Sequence, residues 1–479
     1  MCLKLVVFIC CCVLAAALSA AGEQKKPTAL EMVLENTKPL QHPRGGRPPL
    51  VLWTPNFPDN ADDAEMMRVL RALEARGIAL LHRWGGDAES TSPRWIRIGR
   101  MQKELGMPVC VDGTGFVHGF YSGRKDMAHV DAEGKPFFDA SFFWQPGCPF
   151  TIRKRFDDKR KPVAAYALAY KNAGVPVDYW MADFEFGGPN EWNDAWEAAK
   201  KCTVCREKIK DIDTNFPAFQ KAVRELRTAL QREVWVESVR KTFPDVRIGN
   251  YGMNPHDGYR YWWDFYEKPA PGLPYKKHQN ALYRPWVEEF DSSGYTLAMP
   301  VIYTWSTIYD SYNFENKQYR WFYNMLREAT SVATSAKPDL PIIPFVHWST
   351  TNPPKQLPEN FEPMSRETYE ELLWHMLLRG IDSFAMWSPK DETAIEVAPV
   401  HLVYASSLQY RDFLDKGTPV AFDVPDQPGT VVSALKLNDK LLVRRTDFTA
   451  YDKPVTIEVG GKQIRVERRA GQCQVLELQ

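Results

Sequence analysis

The chain reads as an α/β protein, a (β/α)8 TIM barrel with insertions and a small C-terminal antiparallel β domain. Three observations lead there. Eight short apolar runs recur, at 50–54, 77–82, 107–112, 177–185, 246–251, 295–303, 341–348 and 380–387. Amphipathic stretches lie between them, such as 62–76, 93–105, 216–243, 316–335 and 365–379. Strands alternating with helices make parallel βαβ units, and eight such units favour a closed barrel over an open doubly wound sheet. Glycines supply the third observation: Gly77, Gly106, Gly174 and Gly380 each follow a helical run and precede a strand, where a C′ glycine ends a helix.

The flanking segments follow from their composition. Residues 1–21 carry Lys4, an apolar run over 5–18 and then small residues, the pattern of a secretory signal peptide cleaved near Ala21. That run is too short for a comfortable membrane span, so the mature protein is expected to be secreted or periplasmic, with no stable membrane insertion. A polar, Pro-rich lead covers 22–47 and the barrel 48–416. From Gly417 short strands with Gly, Asp and Asn turns replace the helical pattern, giving a β domain over 417–479 in which no catalysis is expected.

Charge and cysteine usage narrow the function classes. Sixty basic and 60 acidic residues cancel, so nucleic-acid binding finds no global electrostatic support. The basic run 153–161 is interrupted by Asp157 and Asp158 and reads as a solvated loop or helix start. Cleavage leaves five cysteines, Cys110, Cys148, Cys202, Cys205 and Cys473. Cys202-Thr-Val-Cys205 is a lone CxxC, open to three readings: half a metal site, a redox pair or a local disulfide. No second CxxC or nearby HxxxH completes a zinc site, so no metal and no cofactor is assigned.

In such barrels, working groups come from the C-terminal strand ends. The runs end, in order, in Trp53 and Thr54; His82, Arg83 and Trp84; Asp112; Asp183 and Glu185; Asn250 and Tyr251; Tyr303 and Trp305; His347 and Trp348; and Trp387. The mouth is therefore aromatic with few carboxylates, a composition suited to sugar rings. Asp183 and Glu185 stand at i and i+2 of one strand run, on one face and roughly 6–7 Å apart along the backbone. Such a pair suits a general acid and a partner that tunes it. A two-carboxylate retaining glycosidase needs a further acid about 5 Å away, for which Asp112 or Asp310 are the candidates. The simpler mechanism lets the substrate's 2-acetamido oxygen act as nucleophile, with Tyr251 and Tyr303 steadying the cyclised intermediate. His82 and His347 read equally well as structural or catalytic.

The order of these motifs resembles the hyaluronidase-type glycoside hydrolases and, more distantly, the chitinase-type barrels with their DxE acid motif. Asp183-Phe184-Glu185 is similar to the family's Asp-Trp-Glu, and Ile248-Gly-Asn-Tyr251 to its Gly-Tyr-Tyr stretch. Met299-Pro-Val-Ile-Tyr303 is similar to Tyr-Pro-Ser-Ile-Tyr, and Leu340-Pro-Ile-Ile-Pro-Phe345 to Leu-Pro-Val-Phe-Ala. The run ending in Trp387 is similar to the family's last strand. The resemblance spans about 178–387. It implies Glu185 as acid/base, Asp183 as its electrostatic partner, Tyr251 and Tyr303 near the acetamido group, and Trp387 under the sugar. Trp53, Arg83, Trp84, Asp112, Asn250, Trp305, His347 and Trp348 are the expected substrate contacts at the strand ends. Departures concern the substrate more than the fold: Phe184 replaces a Trp, 186–192 replaces Glu-Trp-Arg-Pro, the disulfide framework is absent, and 255–266 is unusually aromatic.

Three functions therefore compete. The leading expectation is a secreted hydrolase of an N-acetylhexosamine-containing polysaccharide or glycan. A two-carboxylate hydrolase of another polysaccharide is the second. A catalytically silent carbohydrate-binding barrel is the third, and the presence of both Asp183 and Glu185 argues against it.

Overall fold

The computed structural model describes residues 27–117, 124–140, 145–184, 193–258, 284–285, 287–305, 314–351, 361–389 and 392–478. Eight parallel strands form one sheet: β1 (Leu50–Leu52), β2 (Ile78–Arg83), β3 (Cys110–Asp112), β4 (Tyr179–Ala182), β5 (Arg247–Asn250), β6 (Val301–Trp305), β7 (Phe345–Thr351) and β8 (Ala385–Met386). Their order is β6-β7-β8-β1-β2-β3-β4-β5, so β8 returns to β1. The chain ahead of β6 spans the gap to β5. Thr296 N–H donates to the Ile248 carbonyl at 2.9 Å, and Ile248 N–H donates to Thr296 Oγ1 at 3.0 Å. The expected run 295–303 thus closes the ring on β5 with its first half and pairs with β7 through its second.

Helices α1 (Asp63–Glu74), α2 (Ala88–Glu104), α3 (Phe156–Asn172), α4 (Phe216–Leu230), α5 (Val287–Ser293), α6 (Lys317–Ser335), α7 (Arg366–Leu377) and α8 (Thr393–Ser407) follow the strands in turn. Asp62, Asp87, Asn316 and Ser365 cap α1, α2, α6 and α7 by accepting a first-turn N–H. The four stop glycines all hold positive φ, from 67° at Gly77 to 101° at Gly380. Two expected helices differ. α2 starts at Ala88 rather than 93 because Asp87 caps it and the helix runs on through Pro93. The run 216–243 changes after Leu230 into a π-helical turn, Gln231–Val236, and then a last α turn, Glu237–Arg240. The basic run is a helix start: the 3₁₀ segment Pro149–Arg155 feeds α3, where Asp157 pairs with Arg160 and Asp158 with Lys161.

The C-terminal part is antiparallel: β9 (Thr418–Ala421), β10 (Thr430–Leu437), β11 (Lys440–Asp447), β12 (Val455–Val459), β13 (Lys462–Val466) and β14 (Cys473–Glu477). β9-β10-β11-β14 form one sheet, and β12 and β13 a hairpin. The sheet docks on α7 and the turn after it, with Val431, Leu435 and Leu442 joining the barrel's core and polar groups fixing the contact. Buried Arg379 donates to Ser433 Oγ (2.8 Å) and to the carbonyls of Phe422 (2.7 Å) and Asp423 (2.9 Å). His375 bridges Ser433 Oγ (2.8 Å) and Thr446 Oγ1 (3.0 Å). Among the described residues no helix is long and apolar enough to cross a membrane.

Candidate active site

Strand register decides which side chains face the barrel axis. Residues level on neighbouring strands point the same way, and successive residues along a strand point oppositely. His82 sets the sense. Its ring meets Tyr170 Oη of α3 at 2.9 Å and Gln102 Oε1 of α2 at 2.5 Å, so it points outward to the helices. Arg83, the next residue, therefore points inward. Arg83 is level with Asp112, Asp112 with Met181, and Met181 with Gly249. Asp183 and Tyr251 lie two residues beyond the last two and share their side. In the other half, Ala79 is level with Val51, Val51 with Ala385 and Ala385 with Phe345. Two residues beyond these come Trp53, Trp387 and His347, and His347 is level with Tyr303.

One layer of inward side chains thus rings the mouth: Trp53, Arg83, Asp112, Asp183, Tyr251, Tyr303, His347 and Trp387. Ring contacts agree with the register. Tyr303 lies 6.3 Å from Tyr251, 5.7 Å from His347 and 6.2 Å from Trp387, and Trp53 lies 4.7 Å from Phe345. The layer is two-sided. From β5 round to β1 it is aromatic; from β2 to β4 it carries a guanidinium and two carboxylates.

The charged side is braced from behind. Asp183 N–H donates to Thr114 Oγ1 at 2.9 Å, and Phe184 N–H to Asn250 Oδ1 at 2.9 Å. Asn250 Nδ2 donates to Gln231 Oε1 at 3.1 Å, which also accepts from Tyr295 Oη at 2.9 Å. Burial holds the Tyr295 hydroxyl well above the usual tyrosine range, so it stays a donor. Gln231 opens the π-helical turn, a distortion that recurs next to functional sites. Asp112 Oδ1 accepts from Thr114 N–H at 2.8 Å, so one turn braces both carboxylate-bearing strands.

Three expected sugar contacts are corrected. Trp84 points outward and is buried against Tyr166 (5.3 Å) and Tyr170 (5.0 Å), which leaves no ring face for a sugar. Asn250 spends its amide on Phe184 and Gln231 and is 1% exposed. Trp348 stacks on Tyr369 at 6.2 Å and donates its indole N–H to the Met364 carbonyl. His82 is structural, and burial pulls its imidazole down to about 4. Trp305 ends β6. Glu185, Asp310, the segment 186–192 and residues 259–266 of the aromatic insertion lie outside the described residues. β4 itself ends at Ala182, short of the expected run to 185.

Two carboxylates escaped the strand-end reading. Glu392 and Glu396, at the start of α8, put Oε2 and Oε1 at 3.4 and 3.5 Å from His347 Nε2. Glu396 is buried and accepts the N–H groups of Trp348 (2.7 Å) and Ser349 (2.6 Å), where β7 bulges against β6. It is a strut for that bulge. Glu392 is half-exposed and brings an acid beside the aromatic side of the layer. Their i, i+4 spacing just after the last strand was the available signal. His347, Glu392 and Glu396 could also approach one cation, but both oxygens of Glu396 are already engaged by backbone donors.

No protein-family model and no curated protein matches the chain. Solved structures similar to it include α-L-fucosidase isoenzyme 2 from Paenibacillus thiaminolyticus (TM-score 0.45, 10% identity, over 78% of this chain and 51% of that one). The galactosidase domain of the α-galactosidase-sucrose kinase AgaSK has a TM-score of 0.42 at 10% identity, over 94% and 57%. A cyclic α-maltosyl-(1→6)-maltose hydrolase from Arthrobacter globiformis has 0.41 at 10%, over 92% and 93%. The chain thus spans little more than half the length of the first two. Likeness at these scores adds nothing to the barrel that the strand register itself defines.

Proposed function

We propose that the chain is a glycoside hydrolase acting on an N-acetylhexosamine-containing polysaccharide or glycan by substrate-assisted, retaining hydrolysis. The observation that supports it most is the two-sided layer, with a carboxylate-bearing strand end facing aromatic rings across one mouth. In this reading Trp387 is the platform for the sugar ring, and the Tyr251 and Tyr303 hydroxyls steady the acetamido group. The acetamido oxygen attacks the anomeric carbon while Glu185 protonates the departing glycosidic oxygen. Asp183 stabilises the positive charge that develops on the amide. Water then opens the cyclised intermediate, with Glu185 taking its proton. Delivery across a membrane by residues 1–21 belongs to the same proposal.

A thiazoline analogue of the N-acetylhexosamine tests this reading. It mimics the cyclised intermediate and should inhibit competitively, far more tightly than the parent sugar binds. Asp183→Asn should lose both turnover and that tight inhibition. The second reading, a two-carboxylate glycosidase, gains from two placements: Asp112 faces inward on the strand beside Asp183, and Glu392 stands at the mouth. A 2-fluoro sugar that leaves a covalent glycosyl adduct on Asp112 or Glu392 would establish it instead.

A further inference from the structure

Away from the barrel mouth, four metal-binding side chains converge: His129, Cys148, Cys202 and Cys205, all buried, with their ligand atoms within 4.8 Å of one another. Cys148 Sγ lies 3.6 Å from Cys205 Sγ, and Cys205 Sγ lies 4.0 Å from His129 Nδ1. A tetrahedral zinc with Zn–S of about 2.3 Å and Zn–N of about 2.0 Å sets its ligand atoms about 3.5–3.8 Å apart. A disulfide sets two sulfurs about 2 Å apart and uses only two of these four groups. We propose that His129, Cys148, Cys202 and Cys205 form a structural Cys3His zinc site.

The ligands arrive from two connections. His129 lies on the ribbon His129–Val130/Pro136–Phe137, its ring stacked on Phe137 at 5.0 Å, and Cys148 immediately precedes the 3₁₀ segment. Both belong to the loop between β3 and α3. Cys202 and Cys205 flank the start of the short helix Thr203–Lys208, between β4 and α4, and Thr203 Oγ1 donates to the Val130 carbonyl at 3.1 Å. The zinc therefore ties together the two loops that follow the strands bearing Asp112 and Asp183.

Of the eight fully buried residues of the local core, three are the cysteines Cys148, Cys202 and Cys205, with Phe137, Phe150, Trp196 and Phe216 packed around them, so the thiols sit at its centre, shielded from water. Four nitrogen and sulfur ligands with no open position make a structural rather than a catalytic site, and soft thiolates with one imidazole select zinc over magnesium or calcium.

The test uses the full chain purified without chelator. Metal analysis should find one zinc per chain, and Cys110, Cys148, Cys202, Cys205 and Cys473 should all be labelled as free thiols once the protein is denatured with EDTA. Cys202→Ser/Cys205→Ser should lose the zinc. Cobalt exchanged into the wild-type chain should show a thiolate-to-cobalt charge-transfer band and the intense visible bands of tetrahedral coordination, a readout that stands even if the double variant fails to fold. A folded, metal-free chain overturns the proposal, whether it carries a Cys148–Cys205 disulfide or keeps these thiols free. So does zinc that survives the double substitution, or cobalt without a thiolate band.

Discussion

Replacing Asn250 with Leu probes the brace behind β4. Asn250 is 1% exposed, accepts the Phe184 N–H at 2.9 Å and donates to Gln231 Oε1 at 3.1 Å. Leucine has the same number and branching of heavy atoms, so the change removes hydrogen bonds rather than opening a cavity. Gln231 Oε1 keeps the Tyr295 hydroxyl, and the loss therefore falls mainly on the Phe184 N–H. A buried donor deprived of its acceptor costs about 1–3 kcal/mol, so urea unfolding should report a loss of about 2 kcal/mol. Phe184 also stands between Asp183 and Glu185 in sequence. A shift of about 1 Å in a catalytic group costs about 10²-fold in rate, so kcat should fall by that order while KM changes little. Gln231→Leu should reproduce part of both effects, and the double substitution should cost less than the sum of the two. If Asn250→Leu leaves stability within about 0.5 kcal/mol of the parent and kcat unchanged, the brace has no role in the site.

Other outcomes follow from single contacts. Arg379→Met removes the donor shared by Ser433 and the carbonyls of Phe422 and Asp423, and at about 1 kcal/mol per bond should destabilise the chain by about 3 kcal/mol and open the segment around 417 to proteases. His82 is held neutral by burial down to about 4, whereas the unfolded chain takes up its proton near the ordinary value of about 6.5. Stability should therefore fall as pH drops from about 6.5 to 4, by up to about 3 kcal/mol from this residue, and His82→Gln should flatten that part of the pH–stability profile. Trp387→Ala should raise KM about tenfold, the worth of one stacked ring at about 1.4 kcal/mol, with a smaller change in kcat.

The barrel was legible because its signals are local: apolar runs, helix caps and stop glycines. Strand phase was harder to read. Both faces of a parallel barrel strand are apolar, so hydropathy does not mark which neighbour faces the axis. Trp84, Asn250 and Trp348 each sit one residue from an inward side chain, and one step along a strand reverses the face. The outward anchor of His82 on Gln102 and Tyr170 is what settles the alternation. The π-helical turn at Gln231 was hidden because 216–243 keeps a continuous helical pattern. Glu392 and Glu396 were readable from their spacing, but they lie in the loop and helix beyond the last strand end. Of the cysteine cluster only the CxxC at Cys202 and Cys205 was legible, as one of three readings; Cys148 and His129 had no local signature, since Cys205 meets them across 57 and 76 residues.

The most direct measurement is reducing-end release from hyaluronan, chondroitin, chitin oligomers and neutral glucans, with Glu185→Gln beside the parent chain. Release is expected from at least one N-acetylhexosamine polymer, and Glu185→Gln should lose about 10²–10⁴-fold or more in rate, the contribution of general acid–base catalysis, while still binding that polymer. Release from neutral glucans alone, or turnover that survives Glu185→Gln, would contradict the proposed function.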